Sequence, residues 1–524
     1  MSKDSIQLNR YTLSVSELPG GFTLWGAVEE IEPGLEQVRL RLSAESPTPP
    51  APFTVEWSHP LVMSHHAWSE ALPPMTDYEV TLRIDTRDIP WYTSLQDVSD
   101  WWADMPEHRP MPVPEAARCP MYSTWYSFHQ PMTSDALEEQ CRLAKAMGME
   151  ALIVDDGWQT NDNNRGYSHC GDWEIAERKF PDMAAHVRRV HEIGMKYIMW
   201  FSVPFIGIRS KAYERFKGKY LDDDDPKHFW YVLDPRFPEV REYLISTYEQ
   251  FVRSYDIDGF KLDFVDSFRN SDYAAQHCGD GRDIASVPVA VDRLLTDVTE
   301  RLQRLKPDIL IEFRQSYIGP LMRKYGNMFR ANDVPADFTG NRIETLDVRL
   351  LCGKTACHAD MTLWHPGDTV ESAAMQLIHT LFSVPQISVL LNRLPESHRD
   401  MLKSYLAFWQ RHRDVLLDGE LMPEHPEHVY TAVQARTETK HLAVAYGTRL
   451  LKIDSALPGL LIVVNGTLSP DLILELAVDI GPRNVRIVDC TGCPVEAGSL
   501  MPFPAGFHQL KIPPAGHAIL CFSV

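Results

Sequence analysis

A (β/α)8 barrel flanked by two β-sandwich domains is the fold this sequence predicts, on three observations. The chain has 524 residues, more than a single hydrophobic core accommodates, so several domains are expected. From about residue 120 to 415, short apolar, β-prone runs alternate with helix-like segments, the pattern of a parallel sheet wrapped by helices. On either side, short alternating segments are broken by Pro, Gly and Asn-Gly turns, as in antiparallel sandwiches.

Residues 1–112 are read as the first sandwich. Alternation is clearest at 78–84, proline-rich turns (SPTPPAPF, ALPPM) separate the segments, and a proline-rich passage at 106–114 reads as a linker. Residues 113–417 are read as the barrel, with strands at 121–128, 151–155, 196–201, 259–264, 309–313, 328–331, 358–363 and 386–391. Eight such runs fit a closed barrel. Helical patterns at 134–147 and 285–305 lie between them; the first opens on Ser134 as N-cap and stops before Gly148. Residues 418–524 are read as the second sandwich, with strands at 441–446, 459–464, 485–488 and 518–522.

Composition narrows the function classes. A formal net charge of −21 repels phosphate backbones and anionic membrane surfaces, so neither nucleic acid nor membrane is an expected partner. A neutral substrate is compatible with it, and a homo-oligomer is left open. No apolar run is long enough to span a bilayer, and the opening lacks the apolar stretch of a signal peptide, so a cytoplasmic location is expected. Nine scattered cysteines agree with a reducing compartment. Cys490 and Cys493 form a lone CxxC without a second ligand pair, and His129, His169 and His358 show no ligand spacing; no metal and no cofactor are expected. Four adjacent carboxylates at 222–225 cannot all face one ion and are read as a solvated loop before Pro226.

Barrel enzymes place their chemistry at the C-terminal ends of strands, and several runs here close on carboxylates. The second gives Asp155 and Asp156, the fourth Lys261 and Asp263, the sixth Arg330 and Asp333, the seventh Asp360. Lys261 and Asp263 are two apart, which puts both on one strand face, with Leu262 and Phe264 toward the helices. A lysine there keeps Asp263 ionised, as a nucleophile must be; a purely structural ion pair inside a barrel is a poor source of stability. Retaining glycoside hydrolysis needs two carboxyl groups about 5–5.5 Å apart, one ionised and one protonated. Asp333 is the favoured partner, its ionisation opposed by the charge of Asp263. Glu312 is its rival, with Arg314 beside it as an ion-pair explanation. Asp155, Asp156 and Trp158 suit a pyranose subsite, carboxylates taking hydroxyls and the indole covering the C–H face.

These residues resemble the α-galactosidases of glycoside hydrolase family 36 and their clan. The matching segments run in family order: Val154-Asp-Asp-Gly-Trp158; Gly171-Asp-Trp-Glu with Lys179-Phe-Pro181; Gly194-Met-Lys with Met199-Trp200; Asp258-Gly-Phe-Lys-Leu-Asp263; Arg330-Ala-Asn-Asp333. The resemblance covers the barrel, and its layout includes a β-sandwich on each side. It implies a retaining exo-α-galactosidase. Asp263 would attack the anomeric carbon, Asp333 would protonate the leaving oxygen and then activate water, and Lys261, Asp155 and Asp156 would hold ring hydroxyls. Trp158, Asp172, Trp200 and Arg330 match pocket-lining positions. The chain departs from the family in two places. Trp200 is followed by Phe-Ser-Val-Pro204 instead of Phe-Glu-Pro, and a Cys/Ser-Gly-rich segment near the sugar's 2-position is replaced by Glu312-Phe-Arg-Gln-Ser-Tyr317. The second departure leaves open an N-acetylgalactosaminide, an arabinopyranoside or an acidic sugar as substrate, and a non-catalytic sugar-binding protein remains the alternative outside the enzyme class.

Overall fold

The computed structural model describes residues 4–8, 11–16, 22–48, 53–59, 61–67, 75–222, 228–269, 271–277, 279, 281–314, 318–454 and 459–522. Residues 223–225 of the acidic run, 315–317 beyond the fifth barrel strand and most of the two early proline-rich turns lie outside them.

Eight parallel strands form the central sheet, in chain order Met121–Ser123, Ala151–Val154, Lys196–Ser202, Gly259–Asp263, Leu310–Arg314, Met328–Arg330, Ala356–His358 and Gln386–Ile387. Each pairs with its chain neighbour, and the eighth pairs back onto the first at Gln386 and Met121. The bridges His358 to Val384 and Thr362 to Ile387 join the seventh to the eighth and close the ring. Seven of the eight are buried at every position and the third at all but Lys196, which is why they read as continuous apolar runs.

Three boundaries differ from the sequence reading in a way that shapes the site. The first strand stops at Ser123 and a short helix, Trp125–Phe128, follows. The seventh begins at Ala356 and ends at His358, so Asp360 lies in the loop above it. The fourth ends at Asp263 because Phe264 takes a left-handed backbone (φ 64°). That conformation breaks strand alternation. Phe264 therefore does not turn to the helices as alternation alone predicts, whereas Leu262 does lie in the core.

The enclosing helices carry their own boundary signals. Thr133, one residue before the expected cap, accepts from the Ala136 N–H at the start of Ser134–Ala146. Asp182 caps Met183–Ile193, which ends on left-handed Gly194, and Ser286 caps Val287–Leu305.

Before the barrel, Asp4–Leu8, Tyr11–Ser16, Phe53–His59 and Leu61–Ala67 form one antiparallel sheet, and Phe22–Glu32, Leu35–Thr48 and Met75–Asp85 a second. A helix, Trp91–Asp104, follows, which the alternating pattern of this region did not lead one to expect. Leu95, Val98 and Trp102 recur at helical spacing along it, and buried Arg323 anchors it to the barrel through the Ser99 carbonyl and hydroxyl at 2.6 and 2.8 Å. After the barrel, seven strands between Glu420 and Cys521 form a sheet over a three-stranded one, closing on a separate apolar core that includes Leu461, Leu472, Ile487 and Leu520. The larger sheet is mainly antiparallel, and the smaller has one parallel and one antiparallel pairing; Lys440–Ala445 runs parallel to Leu460–Asn465, because the chain between them supplies a strand, Leu450–Ile453, to the other sheet.

A cavity of about 1230 Å³ opens at the N-terminal ends of the strands, lined by Pro120, Glu150, Lys196, Asp258 and Lys306. Its central charge is already paired: His191, Lys196 and Lys306 contact Asp258 at 2.7, 3.0 and 3.1 Å. The candidate carboxylates lie at the opposite end.

Candidate active site

The mouth of the barrel is built from the last residue of several strands and the first turn after them. Asp263 closes the fourth strand, in register with Ser202 of the third. Its Oδ1 accepts from Arg314 Nε at 2.7 Å and from its neighbour's Phe264 N–H at 2.9 Å, while Oδ2 accepts from Trp200 Nε1 at 2.8 Å. Three convergent donors suit an acceptor-only carboxylate and fix its orientation. Lys261 lies on the same inward face, as expected, but its ammonium is bonded to Asp155 Oδ2 at 2.6 Å. The cation touching Asp263 is Arg314, so the arginine does what the sequence assigned to Lys261.

Asp333 sits just beyond the sixth strand. Arg330 donates to its Oδ1 at 2.8 Å, and Arg314 Nη1 lies 3.1 Å from its Oδ2. One guanidinium therefore reaches both candidate carboxylates. Burial pushes the Asp333 carboxyl upward, but Arg330, Arg314 and Lys261 outweigh it and hold the group well below the usual carboxylate range. Its side chain is 36% exposed, so solvent screens part of that pull. The expected effect of Asp263, to keep Asp333 protonated, is opposed here by cations from strands four to six.

Glu312, the other carboxyl group considered for the acid, lies away from the pair. It is fully buried in the barrel interior, its Oε2 bonded to Gln386 Nε2 at 2.5 Å and its Oε1 3.7 Å from Arg330 Nε. Burial raises its pKa. Arg314, its sequence neighbour, turns outward to the two aspartates instead of pairing with it.

The other residues expected in the pocket divide. Asp155 is in place, with its own backbone N–H tied to Thr124 Oγ1 at 2.9 Å and only 3% of its surface exposed, beside Lys261. Trp200 touches Asp263 through its indole N–H. Arg330 is fully buried and acts through Asp333 and Asp360. Asp156 turns aside, accepting from Gln130 and Gln159 at 2.8 and 2.7 Å; burial pushes it up to about 6. Gly157 (φ 116°) makes this turn, and a Cβ there would lie 2.6 Å from the Gln130 backbone. Lys179 staples the same loops, donating to the carbonyls of Gln130 and Gly157 and to Asn163 at 2.7–2.8 Å.

Two residues are not in the pocket at all. Trp158 is wholly buried, its indole N–H on the Trp200 carbonyl at 2.8 Å and its ring against Trp173, Phe201 and Phe251 of the surrounding helix. Asp172 caps the turn at Lys211, accepting from the Lys211 and Ala212 N–H groups at 2.8 and 2.9 Å, so both its oxygens are engaged. Residue type allowed either role; the direction each loop takes decided it. Trp158→Ala is accordingly expected to destabilise the protein by about 3–5 kcal/mol with little change in KM. A raised KM at unchanged melting temperature would put its ring back in the pocket.

The structure adds residues that sequence reasoning passed over. Tyr167 lies against Trp200, Phe205, Trp230 and Phe264, close enough to Asp263 that burial and that charge together raise its pKa. This half-buried group takes the place expected of Trp158, and its position in a loop left no periodic signal. Asp360 was visible as a carboxylate near a strand end; it bonds to Arg330, the Val334 N–H and Tyr126 Oη, and burial pushes it up to about 6.

Among solved structures, an α-galactosidase from Lactobacillus brevis has a similar fold (TM-score 0.59, 14% identity, 98% of this chain and 75% of that one). So does a variant of a GH36 α-galactosidase from Geobacillus stearothermophilus solved in complex with stachyose (TM-score 0.60, 13% identity, 98% and 76%). Among curated proteins, alpha-galactosidase 1 of Pediococcus pentosaceus is 28% identical over 204 residues, 36% of this chain and 26% of its own length. An alpha-galactosidase of Lactobacillus acidophilus is 29% identical over 152 residues, 28% of this chain and 20% of its own. The matched region thus spans about a quarter or less of these curated relatives. The family model for melibiase matches residues 111–419, more than half of the chain and the whole of the barrel, and the chain belongs to the melibiase family.

Proposed function

We propose that this protein is a retaining, exo-acting α-galactosidase that hydrolyses terminal α-galactosides by double displacement. The observation that carries the reading is the pair of aspartates reached by one guanidinium, Asp263 at 2.7 Å and Asp333 at 3.1 Å. The shared guanidinium gathers both carboxyl groups at one site, as double displacement requires, and the resemblance to family 36 supplies retention. The names of the relatives, α-galactosidases throughout those described above, support the sugar.

In the proposed cycle Asp263 attacks the anomeric carbon as the bond to the leaving oxygen breaks, and Asp333 delivers a proton to that oxygen. Asp333 then takes a proton from water, whose oxygen displaces Asp263 and restores the starting configuration. Asp155 and Lys261 hold ring hydroxyls at the floor of the mouth. Trp200 and Phe264 fix the nucleophile, and Tyr167 offers an aromatic face beside it.

A panel of p-nitrophenyl α-glycosides tests the reading: galactoside, N-acetylgalactosaminide, arabinopyranoside, galacturonide and glucoside. The galactoside is expected to be the best substrate, with α-galactose as first product by NMR. Turnover of none of them overturns the enzyme reading; β-galactose as first product overturns retention.

A further inference from the structure

Arg314 closes the fifth barrel strand, and its side chain is almost fully buried. Nε donates to Asp263, Nη1 faces Asp333, and the guanidinium lies over the Phe264 ring at 5.2 Å. A rigid planar cation is thereby shared between the two groups that the proposed reaction treats oppositely. The first displacement needs one as an anion and the other as an acid. A guanidinium beside a carboxylate favours the anion, which conflicts with what is asked of Asp333.

We propose that Arg314 is a positioning residue that holds Asp333 ionised in the substrate-free protein, and so confines cleavage at neutral pH to leaving groups that depart without a proton. The inference rests on the assignment of Asp263 and Asp333 made above.

The groups facing Asp333 come from every side of the mouth. Arg330, Arg314 and Lys261 arrive from strands six, five and four, Tyr126 from above strand one, Asp360 from above strand seven, and Glu344 from the helix Phe338–Leu351. Three cations stand against three acids, Asp263, Asp360 and Glu344; Asp263 shares the Arg314 guanidinium with Asp333, and burial pushes Asp360 and Glu344 toward their neutral forms, Asp360 to about 6. Arg330 is divided between Asp333 and Asp360 and lies at hydrogen-bonding distance from both. Arg314 holds Asp333 by the longer contact, 3.1 Å, and already has Asp263 as a partner. Its removal frees Asp333 on one side and leaves Asp263 to its two neutral donors, Trp200 Nε1 and the Phe264 N–H.

The chemistry gives two cases. With a p-nitrophenyl leaving group, the Asp263 oxygen bonds to the anomeric carbon, the C–O bond breaks, and the electron pair leaves on a stable phenoxide with no proton needed. With a methyl leaving group the same bond breaks only as a proton passes from Asp333 to the departing oxygen.

The test follows kcat/KM against pH, which reports the free enzyme's ionisations, for p-nitrophenyl and methyl α-galactosides with wild type, Arg314→Gln and Arg314→Lys. In wild type the methyl glycoside should lose activity as pH rises, with a limb well below neutrality that the p-nitrophenyl substrate lacks. Arg314→Gln should move that limb upward by more than one pH unit, and Arg314→Lys should bring it part of the way back. A merely structural arginine would scale the profile without moving its limb. Titration of the Asp333 carboxyl carbon by NMR in wild type and Arg314→Gln reads the same ionisation without turnover. An unmoved titration overturns the role of Arg314 whatever the activity. A moved titration with no turnover of either glycoside upholds the electrostatic role and overturns the glycosidase reading.

Discussion

Replacing Asp263 by asparagine is expected to lower kcat on p-nitrophenyl α-galactoside by roughly 10⁴-fold or more while leaving the fold intact. Asparagine matches aspartate in shape, and its single oxygen can still accept from the Phe264 N–H, with its NH2 turned toward Trp200 Nε1. Arg314 keeps Asp333 as a partner, so no buried cation is left alone, the loss that would otherwise cost about 3–5 kcal/mol. Sodium azide should restore part of the turnover, because a small anion can enter the space vacated by the nucleophile's charge and attack the anomeric carbon itself. The product is then the β-galactosyl azide, inverted relative to the substrate, identified by NMR. Wild-type turnover in Asp263→Asn would end its assignment as nucleophile. Loss of turnover with a melting temperature many degrees lower would mean that the variant reports on folding, and the azide product is the measurement that separates the two.

The second large effect concerns the sugar. Asp155 and Lys261 are bonded to each other at 2.6 Å and are almost fully buried, and Asp156 is turned away, so this single pair is left to recognise the hydroxyl that distinguishes galactose from glucose. A site built around such a hydroxyl leaves buried polar groups unpaired when it points elsewhere, a penalty of about 10⁴ or more in kcat/KM. Wild type should therefore discriminate against p-nitrophenyl α-glucoside by that order. Asp155→Asn should shrink the preference, mainly by losing the galactoside rate, whereas Asp156→Asn should act on stability through Gln130 and Gln159. Equal rates on the two epimers in wild type would show that Asp155 and Lys261 do not read this hydroxyl, whatever Asp263 and Asp333 prove to do.

The sequence by itself determined the barrel and which carboxylates gather at its mouth. Parallel strands buried on both faces must read as short apolar runs, and a polar residue that ends such a run has nowhere to go but the mouth. Asp155, Lys261, Asp263 and Asp333 were therefore legible, and two-residue alternation correctly put Lys261 and Asp263 on one face. What the sequence could not supply was the partner of each charge, since pairing across a barrel depends on register and on the path of loops that carry no period. Lys261 was read as the cation of Asp263 because it is two residues away, yet its ammonium crosses the interior to Asp155. Arg314, fifty-one residues on, takes its place because strand five lies beside strand four. Trp158 and Tyr167 show the same limit: an indole after a carboxylate pair reads as a sugar platform, but the turn at Gly157 sends it into the wall and a loop tyrosine lies near Asp263 instead. The charge environment of Asp333 belonged wholly to the tertiary structure, because the three cations around it arrive from three different strands.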